Sequence, residues 1–288
     1  MLEVIEETLI DALKLLPFLF ITYLIMEYIE HKISAKTKET IKRSGKLGPL
    51  IGSFLGIFPQ CGFSVSATNL YSARVISLGT LISIYLTTSD EMLPILISEN
   101  ISTKIIIKIL LIKLVIGIIA GFIIDFVIKF MSKKDNKNNL EQNVIEDICK
   151  HDHCHCENGI LVSSVKHTLS ILIFIVIITF IINTIIFFIG EDTISDFISN
   201  SQILGPIIAG LIGLIPNCAS SVILTKLYLE NVISVGSMLA GLLVGAGVGL
   251  AVLFKTNKHI KENIKIVFLL YLIGVISGII LELVSFTI

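Results

Sequence analysis

Two short segments carry residues that could hold an ion inside an apolar environment. Pro59-Gln60-Cys61-Gly62 and Pro216-Asn217-Cys218-Ala219 each interrupt an apolar stretch. Proline ends one helical piece, and the next begins just after it. In each segment Cys, Ser and Thr follow at i, i+3 and i+7: Cys61, Ser64, Thr68 and Cys218, Ser221, Thr225. That spacing sets them on one face of the following helix. Brought together, the two faces would present two thiols, the amides of Gln60 and Asn217, and four hydroxyls. The competing reading is a packing kink whose Ser and Thr hydroxyls tie down carbonyls freed by proline.

Asp90-Glu91 is the second candidate. It follows Thr87, Thr88 and Ser89 in an apolar region. Carboxylates at membrane depth are expensive and mark functional sites; these two could bind a hard cation or carry a proton. Ser89 or Asp90 could also simply cap the next helical piece. Lys113, in another apolar run, would either neutralise Asp90 or Glu91 or snorkel outwards. Outside the apolar runs lies the tract Cys149-Lys150-His151-Asp152-His153-Cys154-His155-Cys156. Its six soft ligands (Cys149, His151, His153, Cys154, His155, Cys156) suit Zn, Cd, Cu(I) or As(III). Sensing, delivery or buffering fits such a tract better than the transport site itself.

The elements that must position these residues occur twice. Leu47–Leu81 aligns without a gap with Leu204–Met238, and 16 of the 35 positions are identical. The same shift of 157 residues aligns Ile107–Val127 with Ile264–Val284. Asp90-Glu91 meets Gly247-Val248 and Lys113 meets Leu270, so both break the duplication. Asp125 and Glu282 meet each other near the ends of the last helices and read as interfacial and structural.

The chain is 54% hydrophobic and 16% charged, with a mean hydropathy of +0.91. A soluble domain of this size could not bury so much apolar surface. Leu9–Ile29, Ile105–Phe130, Leu169–Ile189 and Ile266–Phe286 are each long enough to cross a bilayer. The start carries Glu3, Glu6 and Glu7 and lacks a basic stretch and a cleavage site, so no signal peptide is expected. The net charge of −1 gives no support to a nucleic-acid partner. Five cysteines, split between repeats and linker, form no disulfide framework.

Charge sets the orientation. The loop His31–Lys46, the linker with Lys133, Lys134 and Lys137, and the loop Lys255–Lys265 are basic and should be cytoplasmic. Gly190–Gln202 and Ser98–Lys104 should be external. This places both termini outside and the linker inside, with the two repeats in opposite orientation. Between Lys46 and Asn100 the helical pieces are about a dozen residues, or about 18 Å. They read either as a re-entrant hairpin followed by one broken helix or as three short crossings. The expected fold is therefore an all-α polytopic membrane protein with two inverted-topology repeats, broken or re-entrant half-helices, and about 8–10 membrane segments. The expected units are a first transmembrane repeat (1–131), a cytoplasmic Cys/His-rich linker (132–160) and a second transmembrane repeat (161–288).

The stretch from Leu47 to Ser98, with Pro59–Tyr71, Thr87–Ser98 and a Cys/His-rich central loop, resembles the ten-helix heavy-metal exporter family. Its members are commonly labelled arsenic efflux proteins or manganese transporters. The Pro-x-Cys repeats are more distantly similar to those of arsenical permeases, which carry a doubled Pro-x-Cys-x-Cys-Gly motif. This chain has one Cys per motif, a poor basis for a three-thiolate arsenic site. The resemblance implies metal export from the cell membrane.

The expectation is a secondary-active, proton-coupled exporter of a heavy-metal or divalent cation (Mn-like). Gln60, Cys61, Asn217 and Cys218 would contact substrate, and Asp90 or Glu91 would bind substrate or carry the proton. Oxygen ligands suit Mn²⁺ and thiols suit softer ions. Arsenite efflux is the alternative, since helix N-termini just after the cysteines favour neutral oxo-species or anions. A membrane metal sensor or accessory subunit is the alternative of another class. No motif requires a cofactor; the metal ion is substrate, with a second metal held by the linker tract as an option. The bilayer and a metal or metalloid ion are the partners, and a homo-oligomer is compatible. No His-Glu-x-x-His or Gly-x-Gly-Asp motif supports an intramembrane enzyme, and glycine clusters without a Lys do not support nucleotide binding.

Overall fold

The computed structural model describes residues 47–58, 61–89, 92–132, 160–189 and 204–284, with single positions or pairs between 10 and 24. The helices are α1 (Gly48–Gly56), α2 (Cys61–Ser72), α3 (Leu78–Thr87), α4 (Met92–Ser98), α5 (Thr103–Ser132), α6 (Ile160–Ile189), α7 (Leu204–Gly213), α8 (Ala219–Leu229), α9 (Val235–Val244), α10 (Gly249–Thr256) and α11 (Ile260–Leu283). No strand occurs among the described residues. The element order of α1–α5 returns in α7–α11 at the spacing of the sequence duplication.

Among the described residues, three segments are long and apolar enough to cross a membrane: Thr103–Phe130, Val235–Thr256 and Ile260–Leu283. Their burial differs in a way that orders the layers. Val235–Thr256, which runs through α9 and α10, is 83% buried, against 39% and 28% for the other two. It is central, α11 packs along α9, and α5 packs along α3. The outer helices expose apolar stripes at helical spacing. On α5 these are Ile107, Leu111, Val115 and Ile119; on α11, Ile264, Phe268, Leu272, Ile276 and Ile280. Such stripes would be costly against water and are matched by lipid tails.

Bare backbone sets the close packing. Gly48 lies against Thr80, Gly52 against Ser83 and Ile84, and Gly56 against Thr87, so α1 runs parallel to α3. Gly79 lies against Gly121 and Asp125, and Gly117 against Thr87, so α5 runs antiparallel to α3. The second half repeats the arrangement, with Gly236 against Gly278 and Gly274 against Val244. Small residues let helices approach where lipid offers no hydrophobic drive.

The same capping device starts both central helices. Ser77 caps α3, accepting from the Thr80 N–H at 3.1 Å and donating to Asp125 Oδ2 at 2.7 Å. The Gly79 N–H donates to Asp125 Oδ1 at 2.9 Å. Ser234 caps α9, accepting from the Ser237 N–H at 3.1 Å and donating to Glu282 Oε2 at 2.5 Å. A carboxylate at a helix N-terminus opposes the positive end of its dipole. Asp125 and Glu282 therefore hold helix ends in place, as their matched positions suggested.

The two halves interlock. α2 packs on α10, and α8 packs on α4. One apolar cluster joins Leu81, Ile82, Tyr85 and Leu86 to Leu243, Leu250, Leu253 and Leu270. A second joins Met92, Leu96 and Ile109 to Ile223, Leu224, Met238 and Leu242. Each repeat thus completes its core with side chains of the other.

Candidate functional site

Both central helices break at matching positions. α3 ends at Thr87, and Thr88 turns extended (φ −53°, ψ 126°). α9 ends at Val244; Gly245 leaves the helix (φ −69°, ψ 84°) and Gly247 has φ 53°. Only glycine adopts that last conformation without strain. Helix C-termini leave carbonyl oxygens without intrahelical partners, and these carry the negative end of the dipole.

Lys113 fills the space between the two breaks. Its side chain is 0% exposed. The ammonium donates to the Thr88 carbonyl and, at 3.2 Å, to the Leu242 carbonyl. One cation thereby ties the end of a half-helix in the first repeat to the end of a half-helix in the second. Lys113 sits about ten residues, or about 15 Å, into α5, inside a segment long enough to cross a membrane. It points inwards, so the snorkelling alternative does not hold: the carbonyls of two broken helices are better partners than a distant interface.

On α2, Ser64 and Thr68 are fully buried. Thr68 Oγ1 lies 2.7 Å from Ser64 O, 2.5 Å from Tyr85 Oη and 3.1 Å from Gly249 O. Tyr85 Oη also reaches Gly249 O at 3.3 Å. Thr68 has one hydroxyl proton, so it serves one carbonyl at a time and Tyr85 serves the other. This knot fastens α2 to the start of α10, just beyond the second break.

On α8, Thr225 donates to Ser221 O at 2.7 Å, as Thr68 does to Ser64 O at the matching place. Ser221 donates to Cys218 O at 2.7 Å, and Ser220 to Asn217 O at 2.9 Å. These hydroxyls do tie down carbonyls after the kink. Having used their protons on their own helix, Ser221 and Thr225 present only lone pairs elsewhere, which is the polarity a cation needs. Asn217 and Cys218 are both buried, and Cys218 is in no disulfide.

The two Cys-Ser-Thr faces do not pack principally on each other. Ser64 and Thr68 face the start of α10, beyond the break of the second repeat, and α8 packs on α4, beyond the break of the first. Ser89 and Met92, which flank Asp90 and Glu91 in the chain, are buried. Gln60, Asp90, Glu91 and the linker ligands Cys149, His151, His153, Cys154, His155 and Cys156 lie outside the described residues, and Cys61 is described only as backbone at the start of α2. Among the described residues, no three His, Cys, Asp or Glu side chains gather as a metal site.

Sequence reasoning missed Tyr85, Arg74 and Glu262. Arg74 Nη1 and Nη2 donate to Glu262 Oε1 and Oε2 at 2.6 and 2.7 Å, a bidentate pair joining the α2–α3 turn to α11. The Glu262 carboxylate raises the Arg74 guanidinium above its already high range. A signal was present: Tyr85, Arg74 and Glu262 meet Leu242, Asn231 and Ile105 in the duplication. All three break the symmetry, as Asp90 and Lys113 do.

A family model described as "Putative, 10TM heavy-metal exporter" matches residues 1–188, the first repeat, the linker and the opening of the second repeat. No curated protein and no solved structure matches the chain.

Proposed function

The chain belongs to that family of heavy-metal exporters, and from this premise we propose that it is a secondary-active transporter exporting a divalent, Mn²⁺-like cation in exchange for protons. The observation that carries the reading is the Lys113 ammonium held between the carbonyl ends of two broken helices, one from each repeat. The carbonyls that hold the Lys113 ammonium are hard oxygen donors, and in this reading a metal cation takes them when the ammonium withdraws. The outward lone pairs of Ser221 and Thr225 add to that character.

In this reading Asp90 and Glu91 supply the charge that binds the ion or carries the proton, and Gln60, Cys61, Ser64, Thr68, Asn217, Cys218, Ser221 and Thr225 complete the lining. Ion and proton would compete for the same oxygens, which couples their opposite movements. The halves act as inverted repeats rocking about the centre. The parallel run of α1 and α3, with α2 returning between them, fits both α1–α2 as a re-entrant hairpin and three short crossings. The basic residues Lys255, Lys258, Lys261 and Lys265 support placing that end of α10 and α11 in the cytoplasm.

Arsenite is the second reading, favoured by the buried Cys218 thiol at the N-terminus of α8. One experiment separates the two. Inside-out membrane vesicles are offered Mn²⁺, Zn²⁺, Cd²⁺ and arsenite together, with and without a proton gradient, and accumulation is read element by element. Gradient-dependent uptake of a divalent metal supports the proposal. Uptake of arsenite alone replaces it with metalloid efflux. Uptake of none, with the protein verified in the membrane, rejects transport of these ions and favours a metal sensor.

A further inference from the structure

The interface between α2 and α10 carries polar contacts at three levels, set among apolar ones such as Val65 with Val248 and Val252. Nearest the centre, Thr68 and Tyr85 meet the Gly249 carbonyl. About one turn of α2 further out, Ser72 Oγ lies 2.8 Å from Thr256 Oγ1. At the outer end the Arg74–Glu262 pair closes the interface, with Tyr71 Oη donating to the same carboxylate. Next to Thr68 on α2 is Asn69, 2% exposed, with neither Nδ2 nor Oδ1 hydrogen-bonded.

The equivalent interface on the opposite side, between α8 and α4, is built differently. Leu229 and Glu99 stand where Ser72 and Thr256 would be, and Asn231 and Ile105 where Arg74 and Glu262 would be. Met92, Leu96, Ile223, Leu224 and Leu227 pack there in one apolar cluster. Duplication would have copied a feature that served packing alone; the polar interface and its ion pair belong to one side.

Two features of that side conflict with local stability. A buried amide without a partner is unfavourable, and such groups persist where water or an ion reaches them in another state. Arg74 has φ 58°, the left-handed position that ends α2, with its N–H bonded to Tyr71 O and the Val75 N–H to Leu70 O. Glycine or asparagine normally takes that position, and Asn231 does so at the matching turn with φ 60°. An arginine held there against its backbone preference places its fork squarely on Glu262.

We propose that the α2–α10 interface is the route by which the hydrated cation passes between the centre and the cytoplasmic face, that the Arg74–Glu262 pair is its gate, and that Asn69 is a polar contact of the opened route. This rests on the transporter reading. With the gate closed, Asn69 is sealed from solvent. Opening parts the guanidinium from the carboxylate and admits water, so that the Asn69 amide can hydrogen-bond the ion's hydration shell.

The test is labelling of Asn69→Cys by a charged, membrane-impermeant maleimide in inside-out vesicles, read at position 69 by peptide mass spectrometry. Neutralising the gate with Glu262→Gln should speed that labelling by about tenfold, the scale of losing a charge-assisted pair. The double reversal Arg74→Glu with Glu262→Arg should restore protection. Should Asn69→Cys fail to accumulate, Ser72→Cys reads the same interface one turn further out. Equal labelling with the gate intact and neutralised overturns the proposal. So does faster labelling only from the external face, or protection that the reversed pair does not restore. Ion flux by the unaltered chain is measured alongside. Flux present without a labelling change removes this route alone, whereas absence of flux removes the transporter reading and the route with it.

Discussion

Lys113 donates a hydrogen bond to the carbonyl of Thr88, the residue at which the first central helix stops. Its ammonium is buried inside a membrane-length segment beside a second helix end, at Leu242 of the other repeat. A charge so placed is expensive unless satisfied, and the two breaks satisfy it. The break and the cation therefore explain each other: without carbonyls released from α3 and α9, Lys113 could not stay inside.

Replacing Lys113 by leucine, the residue the duplication has at Leu270, should leave the protein in the membrane, because Leu270 itself is fully buried at the equivalent place. Hydrogen bonds to charged groups contribute about 1.5–3 kcal/mol, so ion flux in inside-out vesicles should fall about tenfold or more. Undiminished flux would take Lys113 out of the mechanism.

Asp90→Asn and Glu91→Gln keep size and remove charge. If either carboxylate binds the ion or carries its proton, that variant should lose gradient-driven uptake while keeping normal abundance in the membrane. A variant that transports as the parent does marks its residue as a helix cap only.

Thr68 and Thr225 share a sequence position in the duplication but differ in surroundings. Thr68 is knotted to Tyr85 and Gly249 across the two halves, whereas Thr225 bonds Ser221 in its own helix. Thr68→Val should lower stability in detergent by about 1–3 kcal/mol, the effect of unpairing buried polar groups. Thr225→Val should change stability less and weaken apparent affinity for the ion. Thermal unfolding and concentration-dependent uptake read the two effects separately, and equal destabilisation by both would contradict the assignment.

Asp125→Asn and Glu282→Gln should each destabilise the protein by about 1–2 kcal/mol, from loss of a charge at a helix N-terminus and weaker bonds to Ser77 or Ser234. Their effect on the ion's apparent affinity should be small, because they hold the far ends of α3 and α9 rather than the breaks. A large affinity change with unaltered thermal unfolding would show that these carboxylates touch the ion.

Replacing Cys149, Cys154 and Cys156 by serine and His151, His153 and His155 by alanine removes the soft ligands of the linker. A transporter whose site is in the membrane should keep much of its flux and lose metal bound to the linker, measured by equilibrium dialysis of the purified chain. Complete loss of flux with normal abundance would make the tract part of the transport cycle.

The duplication, the prolines at 59 and 216, and the apolar runs are all properties of residue order, and they sufficed to specify an all-helical membrane protein whose helices are interrupted between α1 and α2 and between α7 and α8. Periodicity reports which face of a helix is apolar, and proline reports where a helix must stop; both are local. The capping carboxylates Asp125 and Glu282 were legible for the same reason, since equal positions in two copies imply equal neighbours.

What residue order left open was partnership. Nothing local says that Thr68 will meet Gly249, that Arg74 will meet Glu262, or that Lys113 will turn inwards. These contacts join residues from opposite repeats, and they depend on how broken helices nest once each half lends its core to the other. The direction of α1 was equally hidden, because residue order does not say how a piece of nine residues lies against its neighbours; its register against α3 shows that the two run parallel. Burial of a charge depends on the carbonyls that surround it, and only the packed structure brings those carbonyls to Lys113.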